Sequence, residues 1–247
     1  MTVLRRQSTK VLWVTLALYW ACGNADQPEP IAQQIAQQAV EIRFEARSAD
    51  QLVSCSAPFF IGSKAFELHD LRLFVHDVAL VGSTGEAVPL SLSNDGVWQT
   101  DSVALLDFED ASESCLNGSL PTNTTIVGTV PPGDYTGLRF RVGVPFEQNH
   151  ENPAQAEGPL TAMAMHWGWQ AGYKFLRVDW SNGQANFRVH LGSTGCQGTM
   201  GNISSCDREN RPQIEFADFD PALDTVVFDL ALLSGTGDGD CQAAAEP

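Results

Sequence analysis

The feature that most constrains this chain is a period-two alternation of apolar and polar residues, recurring in short runs broken by turn formers. Leu138, Phe140, Val142 and Val144 alternate with Arg139, Arg141 and Gly143 until Pro145 stops the run. Val40, Ile42 and Phe44 alternate with Glu41, Arg43 and Glu45 in the same way. Successive strand side chains point to opposite faces, so each run describes a strand with one buried and one solvated side. Residues 71–81 are apolar on both faces apart from Arg72, His76 and Asp77, which suits an interior strand; simple alternation there puts His76 on the face of Phe74, Val78 and Leu80.

Turn signals separate the runs. Gly82-Ser83-Thr84-Gly85 precedes a short strand over 88–92, Asn94-Asp95-Gly96 marks a tight turn, and Ser181-Asn182-Gly183 joins strands over 173–180 and 185–191 into a hairpin. Further strands are expected near 214–216 and 225–230. No amphipathic helix stands out. The expected fold is an all-β, antiparallel, Greek-key-like β-sandwich of about nine or ten short strands with disulfide-stapled loops.

The amino terminus is different in kind. Arg5, Arg6 and Lys10 precede the apolar run 11–21, which is too short to span a bilayer and reads as a secretory signal over 1–21. Cys22 follows Ala21 directly and is the expected lipidation site. Residues 22–38, low in complexity and rich in Gln, form a tether, the sandwich domain occupies 39–234, and 235–247 is a mobile tail. These features predict an exported protein, periplasmic or on the outer membrane or cell surface of a Gram-negative bacterium. The formal net charge is −16, and signal removal takes away three further cations. Nucleic acid is thereby excluded as a partner, since phosphate binding needs a cationic surface.

In an oxidising compartment cysteines are bridges before they are catalytic thiols. Cys196 and Cys206 lie ten residues apart in what reads as an irregular loop over 195–211, so they form the economical local pair. Cys55 with Cys115 is the natural second pair, and Cys241 is left over. There is no Cys-x-x-Cys, His-Glu-x-x-His, Gly-x-Ser-x-Gly, phosphate loop or dinucleotide fingerprint, so a binding protein rather than an enzyme is expected. Two acidic groups, Asp107 with Glu109 and Asp110, and Asp218 with Asp220 and Asp224, lack the spacing of a calcium loop and read as ordinary solvated carboxylates.

Metal and redox chemistry concentrates in 161–196, which reads as one hairpin region holding His166, His190, Trp167, Trp169, Trp180 and Cys196 in a chain with only five His and six Trp. His76 and His150 stand outside it, in a core-like strand and at the start of a long loop over 146–160. Strand alternation puts His190 with Arg188, opposite Phe187, Val189 and Leu191. Imidazole-rich, carboxylate-poor sites favour Cu(II) by the usual affinity order and disfavour Ca²⁺ and Mg²⁺. Met163, Met165, Trp167 and Trp169 form an electron-rich cluster that a haem oxidant could oxidise.

Several separated motifs together resemble the MbnP-like family, the four-Cys-motif proteins of the metallo-mystery pair system. They are Phe74-Val75-His76-Asp77-Val78, Leu105-Leu106-Asp107-Phe108-Glu109-Asp110, Gly143-Val144-Pro145-Phe146 with Asn149-His150, Trp167-Gly168-Trp169-Gln170-Ala171-Gly172-Tyr173-Lys174-Phe175, and His190-Leu191-Gly192-Ser193-Thr194-Gly195-Cys196. The resemblance covers about residues 40–233. It implies an exported copper-binding protein acting with a dihaem c-type, MauG-like cytochrome c peroxidase homologue that oxidises one of its tryptophans to kynurenine, in copper acquisition or homeostasis. In the related MopE and CorA proteins copper is held by two histidines and a kynurenine amine. The ligand candidates here are His76, His150 and His190, with Trp169 ahead of Trp167 as the oxidised residue, and the four motif cysteines are Cys55, Cys115, Cys196 and Cys206. The alternative is a lipid-anchored sandwich that binds a protein or glycan through the 146–160 loop, with no metal role.

Overall fold

A computed structural model describes residues 36–234 apart from Asn117. The signal, the lipidation candidate Cys22, most of the tether, Cys241 and the tail lie outside the described residues. The first strand, Gln38–Ser48, begins at the tether boundary and buries Val40, Ile42, Phe44 and Ala46, the face its alternation marks. Among the described residues no helix is long and apolar enough to cross a membrane.

Two main sheets form the fold, with no closed barrel, and the all-β sandwich expected from the alternation is what forms. The smaller sheet has Gln38–Ser48 at its centre, antiparallel to Thr125–Val130 and parallel to Thr225–Asp229. That parallel pair is an exception to the antiparallel rule, and it arises because the last strand returns along the first after a long crossover. The larger sheet is built on Lys64–Gly82, a single strand of 19 residues where the sequence suggests a strand over 71–81 only. Phe44 of the smaller sheet meets Phe140 of the larger edge-on at 5.8 Å, and one continuous apolar core lies between the sheets.

The long strand serves successive neighbours. One edge pairs first with Leu176–Ser181, through Leu73↔Leu176 to Glu67↔Ser181, and then with Tyr135–Val142 from Val75↔Val142 onward. The other edge pairs with Val103–Asp107 and then with Ala87–Pro89. The change of partner on the first edge falls at Phe74, whose N–H donates to the Phe175 carbonyl at 2.9 Å and whose carbonyl accepts from the Gly143 N–H at 2.8 Å. At Asp77 the strand takes φ of 52° and the register shifts between His76 and Ala79. This bulge breaks the alternation that would align His76 with Val78 and Leu80.

Two other expectations are revised. The 161–196 region is not one hairpin. It comprises a 3₁₀ turn over Met163–Met165, a small ribbon of His166–Gly168 with Gly172–Tyr173, and the hairpin Leu176–Ser181 with Asn186–Leu191. The 195–211 segment is a ribbon rather than an irregular loop: Thr194–Thr199 pairs with Asn202–Arg208, and Cys196 faces Cys206 in register. Its residues are small and polar on both faces, so backbone pairing and a covalent staple hold it without the alternation that announces a strand. Both expected bridges are present, Cys55–Cys115 and Cys196–Cys206.

The face of the large sheet turned away from the core carries buried charge. Register sets Asp107, Arg72, Arg177 and His190 in one row across four strands, with Asp70 and Asp179 in the next. Like charges opposite one another are relieved diagonally. The Arg72 guanidinium grips Asp70 through two nitrogens and reaches Glu109 at 3.3 Å, while Arg177 forms an ion pair with Asp70 at 3.0 Å and donates to Asp179 at 2.9 Å. Asp70, Arg72, Asp107 and Glu109 are all buried. The loop after Asp107, stapled by Cys55–Cys115, covers them: the Ser119 N–H donates to Glu109 at 3.0 Å and the Ser114 hydroxyl donates to the Leu68 carbonyl. Asp107 and Glu109 therefore belong to an internal ion network.

Removing the central cation leaves the buried Glu109 without its guanidinium and Asp70 with Arg177 alone, so Arg72→Ala is expected to cost about 3–5 kcal/mol in denaturant unfolding. Burial, with the Glu109 charge next, pushes the Asp107 carboxyl up to about 7. The folded state then binds this proton more tightly than the unfolded chain, whose Asp titrates near ~3.9, so this group lowers stability as pH rises from about 4 to about 7 and adds no slope above that. Asp107→Asn is expected to remove that slope, measurable as Tm against pH in parallel with the parent protein.

Candidate metal and redox site

The site is carried by the excursion that leaves the sheet at Gly143 and returns at Phe175, both tied to Phe74. Gly143 has φ of +135°, and a Cβ there would lie 3.1–3.2 Å from the Phe175 ring and the Arg211 side chain, so glycine is required at the root. Arg211 clamps the same point. Its Nε–H donates to the Val144 carbonyl at 2.6 Å, and its guanidinium lies 5.0 Å from the Phe175 ring centre and 5.7 Å from that of Phe146.

One helical turn, Phe146–Asn149, delivers Asn149 and His150 inward, and both are buried. Asn149 Oδ1 accepts the Tyr173 N–H at 2.9 Å, which joins this turn to the short ribbon; its Nδ2 sits 3.0 Å from His150 Nε2. His150 Nδ1 lies 3.4 Å from the Trp169 carbonyl. A carbonyl can only accept, so Nδ1 carries the proton and the Nε2 lone pair faces inward. That lone pair accepts from the Asn149 amide, and Cys206 Sγ lies 3.5 Å from the same nitrogen. Burial, opposed by the bond to Trp169 and reinforced by Arg211, lowers the His150 pKa and keeps the ring neutral.

His190 occupies a second environment. Its Nε2 lies 2.8 Å from Asp179 Oδ1, at the end of the buried ion network, and its ring centre is 6.4 Å from that of Trp167. Trp167 is 43% exposed and lies against the backbone of Gly192, where any Cβ would overlap the indole. His166, next to Trp167, packs edge-on to Tyr173 at 4.9 Å; its Nε2 is buried with no hydrogen-bond partner, and burial lowers its pKa. Trp169 is half-buried and contributes its carbonyl to His150. Trp180 fills the core instead, stacked on Phe187 at 3.7 Å.

His76 is in a third. It is buried in the long strand, 3.3 Å from Asp77 Oδ2 but without hydrogen-bond alignment, so both ring nitrogens lack a hydrogen-bond partner. Burial lowers its pKa, against the pull of Asp77. His69 is structural, bracketed by the Ser114 carbonyl and the Ser181 hydroxyl.

Among the described residues, the one set of three His, Cys, Asp or Glu side chains whose donor atoms gather within 4.8 Å of one another is His150, Cys196 and Cys206. His76, His150 and His190 do not gather into a single three-imidazole site. The two sulfurs of the gathered set are joined to each other, and a disulfide lacks the thiolate that binds metal. In this state the set offers one imidazole nitrogen.

Two residues outside the sequence-derived candidates do much of the positioning, Asn149 and Asp179. Adjacency to His150 marks Asn149 in the sequence. Asp179 carries no such mark, because its partnership with His190 depends on hairpin register.

The MbnP family model matches residues 37–243. Among solved structures, MbnP from Methylosinus trichosporium superposes with a TM-score of 0.72 at 35% sequence identity, covering 82% of this chain and 79% of that one. No curated protein matches the chain at a significant level. The match spans the whole described sandwich, including the 143–175 excursion and the 194–208 ribbon, and the chain belongs to the MbnP family.

Proposed function

We propose that this is an exported copper-binding protein in which a tryptophan, oxidised to kynurenine by a dihaem MauG-like c-type cytochrome, completes the metal site. The observation that carries the reading is the pairing of an exposed indole with an imidazole already oriented by a carboxylate: Trp167 lies beside His190, whose Nε2 is held by Asp179, while His166, next to Trp167 in the chain, has a buried, unpartnered Nε2. A buried polar atom without a partner is costly, and a metal ion would satisfy it. Two disulfides support folding in an oxidising compartment.

The residues fit copper. With Nε2 bonded to Asp179, His190 presents Nδ1, and the carboxylate fixes ring orientation and raises ligand basicity, as partners of metal-bound histidine do. An intact indole has an N–H donor and no free lone pair, so Trp167 cannot ligate as it stands. Oxidative cleavage of its pyrrole C2–C3 bond by the haem partner's oxidant, followed by hydrolytic loss of C2 as formate, would yield kynurenine, whose aryl amine has a lone pair. His190 and that amine would hold the ion; bound copper would supply redox and Lewis-acid chemistry. Trp167 is favoured over Trp169 because it is exposed to an oxidising partner and adjacent to His190, whereas Trp169 is half-buried. The acidic chain suits a partner with a basic docking face. In this scheme the protein is a substrate and metal carrier rather than a catalyst.

Protein purified from its native host is expected to carry stoichiometric copper, with the kynurenine mass shift on the peptide containing Trp167. Copper-free protein whose tryptophans are all intact would overturn the reading. Asp179→Asn is expected to weaken copper binding about 10–100-fold in a competition titration while thermal unfolding remains cooperative; unchanged affinity would remove His190 from the site.

A further inference from the structure

We infer that Cys196, Cys206 and His150 form a second, redox-gated metal site, closed while the disulfide is intact and opened by two-electron reduction to bind a thiophilic ion such as Cu(I) or Zn²⁺. The inference is independent of the Trp167–His190 reading.

The geometry is set before any ion arrives. The donor atoms of the three residues already lie within 4.8 Å of one another. Cys196 and Cys206 face each other in register on a ribbon with its own backbone ladder, so the two sulfurs remain neighbours when the bond between them opens. The Gln170 Nε2–H bond to the Cys196 carbonyl, 3.1 Å, further anchors the ribbon to the Trp169 loop. His150 has the orientation that metal-binding histidines are given by their surroundings: Nδ1–H on a backbone carbonyl and Nε2 3.5 Å from the Cys206 sulfur. Only the Asn149 amide bond to Nε2 must be given up. Two thiolates and an imidazole are a donor set for Zn²⁺ or Cu(I), not for Ca²⁺ or Mg²⁺.

The chain also distinguishes its two bridges. Both sulfurs of Cys55–Cys115 belong to fully buried residues with no metal-binding imidazole in the gathered set, whereas Cys206 is half-exposed. Thiol–disulfide exchange needs access to a sulfur. A dithiol reductant attacks Cys206 Sγ, forming a mixed disulfide and releasing Cys196 as thiolate; its second thiol then displaces Cys206 and the reductant leaves as its own disulfide. Two electrons and two protons enter the protein, and the ion displaces the thiol protons on binding. Reoxidation would reform the bridge and release the ion.

The test uses the full-length mature protein, Zn²⁺ as the probe and a mild dithiol as reductant. Thiol labelling with peptide mapping is expected to mark Cys196 and Cys206 before Cys55 and Cys115. The reduced protein should bind one zinc more per chain than the oxidised protein, and His150→Ala, checked for cooperative unfolding, should weaken that extra zinc about tenfold or more. Trp167→Phe, which disables the site of the preceding section, should leave it unchanged. Labelling of Cys55 and Cys115 first, equal zinc uptake in the two redox states, or extra zinc indifferent to His150→Ala while the ribbon cysteines are reduced would each overturn the inference.

Discussion

The backbone of Phe74 is the point on which the site depends. Its N–H and carbonyl bond to Phe175 and Gly143, the two ends of a 33-residue excursion that the sheet releases and recovers at one residue. Loop-closure entropy rises only slowly with length, so an excursion of this size is thermodynamically tolerable once its ends are fixed. What it cannot tolerate is a loose root. Glycine at 143 lets the Phe175 ring and the Arg211 side chain close over the junction, and Arg211 stacks between Phe146 and Phe175 to lock it. From there Asn149 transmits position inward, since its two amide ends fix the Tyr173 strand and the His150 ring together.

The second organising element is the ion network on the outer face of the large sheet. Charges are seldom buried in quantity because desolvation opposes them, and those that are buried need partners with good geometry. Here each carboxylate is gripped by a guanidinium or by loop amides, and the disulfide Cys55–Cys115 holds the covering loop in place. The network is also directional: from Glu109 through Arg72, Asp70, Arg177 and Asp179 it ends on His190, beside Trp167. A feature of core stability thus becomes a feature of the site.

How much of this was legible in the sequence follows from what periodicity records. Alternation reports burial on one face, so Val40 to Glu45 and Leu138 to Val142 read correctly as strands, although the second ends two residues before Val144, and His190 reads correctly as lying opposite Phe187 and Val189. It says nothing where both faces are polar, which is why the 194–208 ribbon reads as a loop although a separation of ten residues already suggests the bridge between its cysteines. It also fails at a bulge: a single residue of positive φ at Asp77 turns His76 relative to Val78 and Leu80. Convergence is the deeper limit. Asp179 meets His190 and Cys206 meets His150 only through strand register and the path of the excursion, and neither is written in local spacing.

The Trp167-Gly168-Trp169 segment then acquires a physical meaning beyond its electron-rich composition. Trp167 turns its indole to His190 and Gly192, while Trp169, two residues on, turns its carbonyl to His150 and the ribbon. Three residues therefore touch both histidine environments, one ending a network of buried charge and the other facing a disulfide. Asn149 holds Tyr173 and His150 at once, so the His150 environment is set from the Phe146–Asn149 turn and not through the Trp167 indole. The two environments therefore meet in one short ribbon yet answer to different supports, hairpin register and Asp179 on one side, the turn and the disulfide-stapled ribbon on the other.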